Sequence, residues 1–215
     1  MRSRVEVVAS RDRLPRVRCT GGVAARYTGF DTVHLVSAAA TPLGGDTIDI
    51  RVIVEPGAGL ALRSAAATVA LPGPDTPTSR MLWAIENAGS LDIDLEPTVV
   101  AADARHLSCA TVSLGDQARL RFRERVQIGR CGERQGFWSG SMTADCARHP
   151  VLRHRLELGP GSLTDDALGA PRATISEFRY PATAFDASPL LDGATTLCLA
   201  GGGLLSTWQA ERLAG

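Results

Sequence analysis

Hydrophobic residues recur at every second position through most of the chain. In DTIDIRVIVE (residues 46–55) Ile48, Ile50, Val52 and Val54 share one face, while Asp49, Arg51 and Glu55 share the other. That period is the signature of a half-buried β-strand. A PGAG turn (56–59) follows, and LALRSAAATVAL reads as a further strand unusually rich in small residues. MLWAIE (81–86) and LDIDLE (91–96) flank Asn87-Ala88-Gly89-Ser90, which predicts a hairpin-like connection. HLSCATVSL, ARLRFRERVQIG, FWSGSMTADC and VLRHRLELG continue the alternation, and LPGPDTPTS (71–79) interrupts it as an exposed loop.

Helical signals are few. Residues 206–215 carry a plausible Ser/Thr N-cap and a terminal Gly, and a short turn fits residues 164–168. No repeat of fixed period and no low-complexity tract marks a second unit. The pattern predicts a mainly β fold: one elongated, many-stranded domain over residues 1–215, meandering or β-superhelix-like, with about two short helices.

Composition narrows the function. The chain has 215 residues, 44% of them hydrophobic and 21% charged, an ordinary globular balance. Its formal net charge is zero, which argues against a main task on nucleic acid or an anionic membrane. All 23 basic residues are Arg. The absence of Lys excludes a Walker A lysine, a Schiff-base lysine and a pyridoxal-phosphate anchor. No apolar run reaches the roughly 18 residues of a membrane span, and the Arg-rich start lacks a signal-peptide core. The five scattered cysteines (Cys19, Cys109, Cys131, Cys146, Cys198) form no CxxC pair and read as reduced, small buried apolar residues. These features predict a cytoplasmic protein.

Catalytic motifs are weak. GFWSG (136–140) has its serine in the wrong place for a nucleophile elbow, and the four histidines show no HxH or HExxH spacing. The informative segment is ARLRFRERVQIG (118–129). Arg119, Arg121, Arg123 and Arg125 share one strand face, a candidate docking surface for an acidic partner or simply a solvated face. Leu120, Phe122, Glu124, Val126 and Ile128 share the other, so Glu124 lies on the apolar side. A buried carboxylate needs an ion pair, a hydrogen-bond network or a passing cation. Asp46 has the parity of Ile48 and Ile50 and also points inward, or serves as a turn carboxylate after Gly44-Gly45. His154 shares a face with Leu152, Leu156 and Leu158, the setting of a satisfied core histidine. Asp92, Asp94 and Glu96 form an acidic face that suits a basic partner.

Taken in order, these segments resemble the urease accessory protein UreD (UreH) family. The likeness rests on Pro42-Leu-Gly-Gly-Asp46 running into TIDIRVIVEPGAG, and on RSAAATVAL, where the family reads close to TTQAATKVY. It continues through LDIDLEPTV (91–99), where the family has the type LEWLPQPTI. Its last landmark is Glu124-RVQI-Gly129-Arg130 followed by Gly132-Glu133. The match spans residues 33 to 168, and no single piece is specific by itself. The family's Gln and Tyr are absent from the small-residue strand, Ile93 replaces the Trp of LEW, and the Gly-Arg to Gly-Glu gap is shortened.

The resemblance implies a non-enzymatic, elongated β protein with about two helices. Such a protein binds apo-urease and, with UreF and the GTPase UreG, delivers nickel to the urease active site. It implies no stably bound cofactor, only nickel in transit along an internal channel, with Asp46 and Glu124 as weak ligands on that path. Transit needs weak successive donors, because tight thiolate or imidazole sites would hold the ion too long. Two rivals remain open: an acyl hydrolase using Ser139 with a distant His, and a nucleic-acid binder through Arg119–Arg125.

Overall fold

The computed structural model describes residues 1–163, 165, 170–185 and 192–213. Within these, seventeen strands form two sheets and no residue is helical. In chain order they are β1 (Arg2–Ala9), β2 (Arg16–Thr20), β3 (Val23–Tyr27), β4 (Thr32–Ser37), β5 (Thr47–Val54), β6 (Gly59–Ser64), β7 (Thr68–Ala70), β8 (Thr78–Asn87) and β9 (Ser90–Asp94). They continue as β10 (Thr98–Val100), β11 (Arg105–Leu114), β12 (Arg119–Ile128), β13 (Phe137–Cys146), β14 (His149–Leu158), β15 (Ala173–Tyr180), β16 (Thr195–Cys198) and β17 (Leu204–Ala210).

The middle of the chain winds as a β-solenoid. Each coil places one strand in a seven-stranded sheet (β5, β8, β11, then β13) and the next in the opposite sheet (β6, β9, β12), all paired in parallel with the coil before. Coils run from Thr47 to its ladder partner Arg80, on to Leu107 and on to Ser139. Their lengths are unequal, so no fixed period shows in the sequence. Antiparallel strands close both ends: β2 on β1, β14 on β13, β3 on β4, and β15 with β17 on β12. Such caps cover the open edges that parallel coils leave.

The predicted alternation is borne out along β5, where Ile48, Ile50, Val52 and Val54 are all buried. These side chains meet Leu60, Leu62, Leu91, Ile93, Leu120 and Phe122 from the opposite sheet in one apolar layer. The Trp83 ring of β8 meets the Phe122 ring of β12 edge to face at 5.5 Å between centroids, tying the sheets across the core.

Two local expectations are corrected. Residues 87–90 are not a hairpin turn, because β8 and β9 belong to opposite sheets; they form a solenoid corner. That corner stacks on its neighbours: Ala88 N–H donates to Val54 O (2.8 Å), Gly115 N–H to Asn87 O (2.8 Å) and Arg119 N–H to Gly89 O (2.8 Å). Nor do residues 206–210 begin a helix. They lie in β17, paired on both sides by β15 and β16, and this ladder overrides a local cap signal. The turn expected at residues 164–168 lies, apart from Asp165, outside the described residues. The cysteines are free but not buried as expected: Cys109, Cys131 and Cys198 are exposed on strand faces or a loop, and Cys19 and Cys146 are half-buried.

The buried Asn87 side chain braces its own corner and ties it to the next. Its Nδ2 donates to Arg119 O at 3.0 Å and its Oδ1 accepts from Gly89 N–H at 3.0 Å. Asn87→Ala removes both bonds and leaves the buried Gly89 N–H without its side-chain acceptor, so it is expected to cost about 1–3 kcal/mol. Urea denaturation of the purified chain measures this as a lower midpoint with unchanged slope.

Candidate functional site

The sheet containing β6, β9 and β12 has a seam. β6 and β7 together, and β9 and β10 together, each make one coil side broken in the middle, at residues 65–67 and 95–97. Strand β12 runs unbroken past the second gap, pairing first with β9 up to Arg123↔Asp94 and resuming with β10 at Val126↔Thr98. Pro97 cannot donate to a ladder, and small residues fill the first gap. Glu124 lies opposite the break.

Three adjoining cavities follow this seam from coil to coil between the sheets. The first, about 150 Å3, is lined by Thr41, Ser64, Ala65 and Thr68, and ends at Met81 and Leu95. The second, about 20 Å3, shares Met81 and Leu95 and reaches Phe122 and Glu124. The third, also about 20 Å3, shares Phe122 and Glu124 and extends to Ser108, His154 and Ser176. A volume of this size holds roughly one water.

Glu124 therefore stands where two cavities meet. Its hydrogen-bonding neighbour is the Ser108 hydroxyl of β11, and Ser176 of β15 is its ladder partner. Among the described residues neither a salt bridge nor a backbone-amide network satisfies it, so the ion-pair expectation is not met there. The residue as a whole is half-buried, but its carboxyl is enclosed by the cavity walls, and this burial raises it to about 7 against a smaller opposing effect of Ser108. Gly140 keeps the space open: a Cβ there would meet the Trp138 ring at 2.3 Å and Glu124 Oε2 at 3.3 Å. Across the cavity, His154 of β14 is half-buried, with Nε2 buried and without a hydrogen-bond partner. The satisfied core histidine expected from sequence is thus absent. Burial pushes its imidazole below the usual range.

Asp46 is buried at the mouth of β5, as its parity predicted, and it also bonds local turn backbone, as expected of a turn carboxylate. Its Oδ2 accepts from Thr41 Oγ1 and from Leu43 N–H, both at 2.9 Å, and its Oδ1 contacts the Met1 amino group at 2.5 Å. Burial works against the charged form, but these hydrogen bonds outweigh it and hold the carboxyl below its ordinary value. Thr41, which lines the first cavity, connects Asp46 to the seam. Asp46 thus lies behind the wall of the first cavity, and Glu124 stands at the junction of the second and third.

The arginine row lies on the outer face of the same sheet. In parallel register, Arg121 faces Asp92 and Arg123 faces Asp94. Arg121 Nε donates to Asp92 Oδ1 at 2.7 Å, Arg63 reaches Asp92 Oδ2 at 2.6 Å, and Arg125 pairs with Asp94 at 2.7 Å. Arg123 pairs with Glu177 at 2.5 Å, and Glu177 also pairs with Arg179. The acidic and basic faces singled out in the sequence are therefore cross-strand neighbours. Arg119, at the end of the row, is exposed over the Phe185 ring at 5.7 Å.

The Gly-Arg and Gly-Glu landmark also has a local cause. Gly129 adopts φ +79, and a Cβ there would meet Glu133 O at 2.4 Å. Glu133 Oε2 accepts from the N–H groups of Arg130 (3.0 Å) and Ala102 (2.9 Å), clamping the loop to the previous coil. The bonds from Arg130 and Ala102 hold its carboxyl down to about 2. Sequence reasoning missed Ser108, Ser176 and Gly140. The inward parity of Ser108 with Ala110 and Val112 was the available signal.

Among the described residues no three His, Cys, Asp or Glu side chains converge on a metal-sized point, and no helix is long and apolar enough to cross a membrane. Fold and site together define an all-β solenoid scaffold with polar groups spaced along an internal seam. The chain belongs to the UreD urease accessory protein family, whose model matches residues 9–213. It is 43% identical to the urease accessory protein UreD 1 of Saccharopolyspora erythraea over 148 residues, covering 68% of this chain and 58% of that protein. It is 38% identical to the UreD of Frankia alni, covering 84% of this chain and 68% of that one. The UreD of a Parafrankia species is 35% identical over 90% of this chain. The chain thus matches less than two thirds of the Saccharopolyspora protein and about two thirds of the Frankia one.

The titration of Glu124 gives a test of its burial. The folded chain holds this proton up to about 7, against 4.5 for an ordinary glutamate, so it binds the proton more tightly than the unfolded chain. Stability therefore falls as pH rises from 4.5 towards 7 and is level beyond. Glu124→Gln removes that loss. Its stability relative to the parent is expected to rise across this window, by about 3 kcal/mol at most. Urea midpoints at acid and alkaline pH measure the difference.

Proposed function

We propose that this chain is a maturation scaffold for urease. It binds apo-urease and, with UreF and UreG, helps deliver nickel to the urease active site, working in the cytoplasm. The observation that carries the reading is the row of cavities along the seam, with Asp46 behind its first wall and Glu124 at its second junction. Nickel moves along it as cargo and meets single carboxylate, imidazole and hydroxyl donors in succession. Isolated donors of this kind bind weakly and let the ion go. Asp46 exchanges its hydrogen bonds for the ion at one end, and Glu124 receives it at the second junction. The family membership supports the urease role. Absence of a P-loop in this sequence fits a division of labour in which UreG supplies GTP hydrolysis. At the exposed end of its ion-paired row, Arg119, backed by Arg121, Arg123 and Arg125, is the candidate face for partner contact.

The test is co-expression of urease subunits with the accessory proteins. Omitting this chain is expected to leave urease without nickel and inactive. Glu124→Ala and Asp46→Ala are each expected to cut activation severalfold while the chain remains folded. Full activation by both folded variants removes the internal path, and nickel-loaded urease in the absence of the chain removes the role altogether.

A further inference from the structure

Glu124 shares its inner cavity with a second donor that has no hydrogen-bond partner among the described residues. His154 Nε2 is buried and unpartnered, and it lines the same cavity from the other sheet. Leaving a buried polar atom unsatisfied costs free energy that a bound water or cation recovers. The hydroxyls of Ser108 and Ser176 line the wall beside them, and the thioether of Met142 lies there too.

Resting on the passage reading above, we propose that this cavity is a selective stopping point for a borderline divalent cation, with His154 Nε2 and the Glu124 carboxylate as its two principal protein donors. Imidazole beside a carboxylate suits nickel, cobalt or zinc, whereas magnesium and calcium prefer all-oxygen shells. The selectivity therefore comes from His154, since a row of carboxylates and hydroxyls alone would also admit magnesium. Two principal donors, with water and hydroxyl completing the shell, keep the site weak enough to release its ion. Glu124 and His154 are the titratable side chains facing this cavity from the packed strands. Burial disfavours the imidazolium, which leaves the imidazole lone pair ready to donate at neutral pH.

Trp138 also lines the cavity, so paramagnetic nickel bound there quenches its fluorescence. The experiment titrates NiCl2 into the purified full chain at pH 7.5. Saturable quenching is expected, with a hundredfold excess of MgCl2 unable to reverse it. His154→Gln and Glu124→Gln are each expected to shift the midpoint upward about tenfold or more. Glu124→Gln should be at least as stable as the parent at this pH, so its loss of quenching does not come from unfolding. Quenching unchanged in both variants, or reversed by magnesium at nickel's own concentration, overturns the site. Urease activation separates this inference from the delivery role. Variants that lose quenching yet activate urease fully leave the site standing and remove only the passage. Variants that quench like the parent yet fail in activation overturn the site and keep the passage.

Discussion

Backbone hydrogen bonding between successive coils is the constraint on which the rest of this molecule depends. A parallel ladder needs its strands in register over the whole width of the sheet, and the corners must turn the chain at matching heights. Here the corners at residues 54–59, 87–90 and 114–119 bond directly to one another, with the Asn87 side chain filling the positions that backbone groups cannot reach. Where one coil side breaks, the next must span the gap or leave it open. Strand β12 spans it, and the opening left beside Glu124 becomes the polar seam.

Charge is distributed according to the same ladder. Outside, Arg63, Asp92, Arg121, Asp94, Arg123 and Glu177 alternate across four adjacent strands, so most of the charge on that face is neutralised within the chain. Inside, the Glu124 carboxyl has no counter-charge among its neighbours, and its burial is a standing cost above neutral pH. A fold optimised only for stability would place a glutamine or leucine there. Retaining an acid at a junction of cavities is the trade expected where a group serves a passing ligand.

Strand content, inward parity and the odd position of Glu124 were legible in the chain because all three are local. Period two follows from strand geometry alone, and an acid among apolar neighbours of the same parity is visible without any partner. The solenoid itself was not legible. Its coils differ in length, and a corner reads like a hairpin until the sheet to which each strand belongs is known. The terminal strand β17 was hidden for a related reason, since its Ser-Thr start mimics a helix cap and only pairing with β15 and β16 settles it as extended.

The sequence by itself determined a lysine-free, charge-balanced β protein with the landmarks of its family and one carboxylate set on an apolar face. Tertiary structure decided what surrounds that carboxylate. Pairing β12 with β9 and β15 turned the arginine row into an ion ladder with Asp92, Asp94 and Glu177, and stacking the broken coil sides aligned three cavities. Folding β14 back on β13 brought His154 to the same space as Glu124. Parity along one strand fixes which way a side chain points, but which side chains it meets depends on register between strands far apart in the chain.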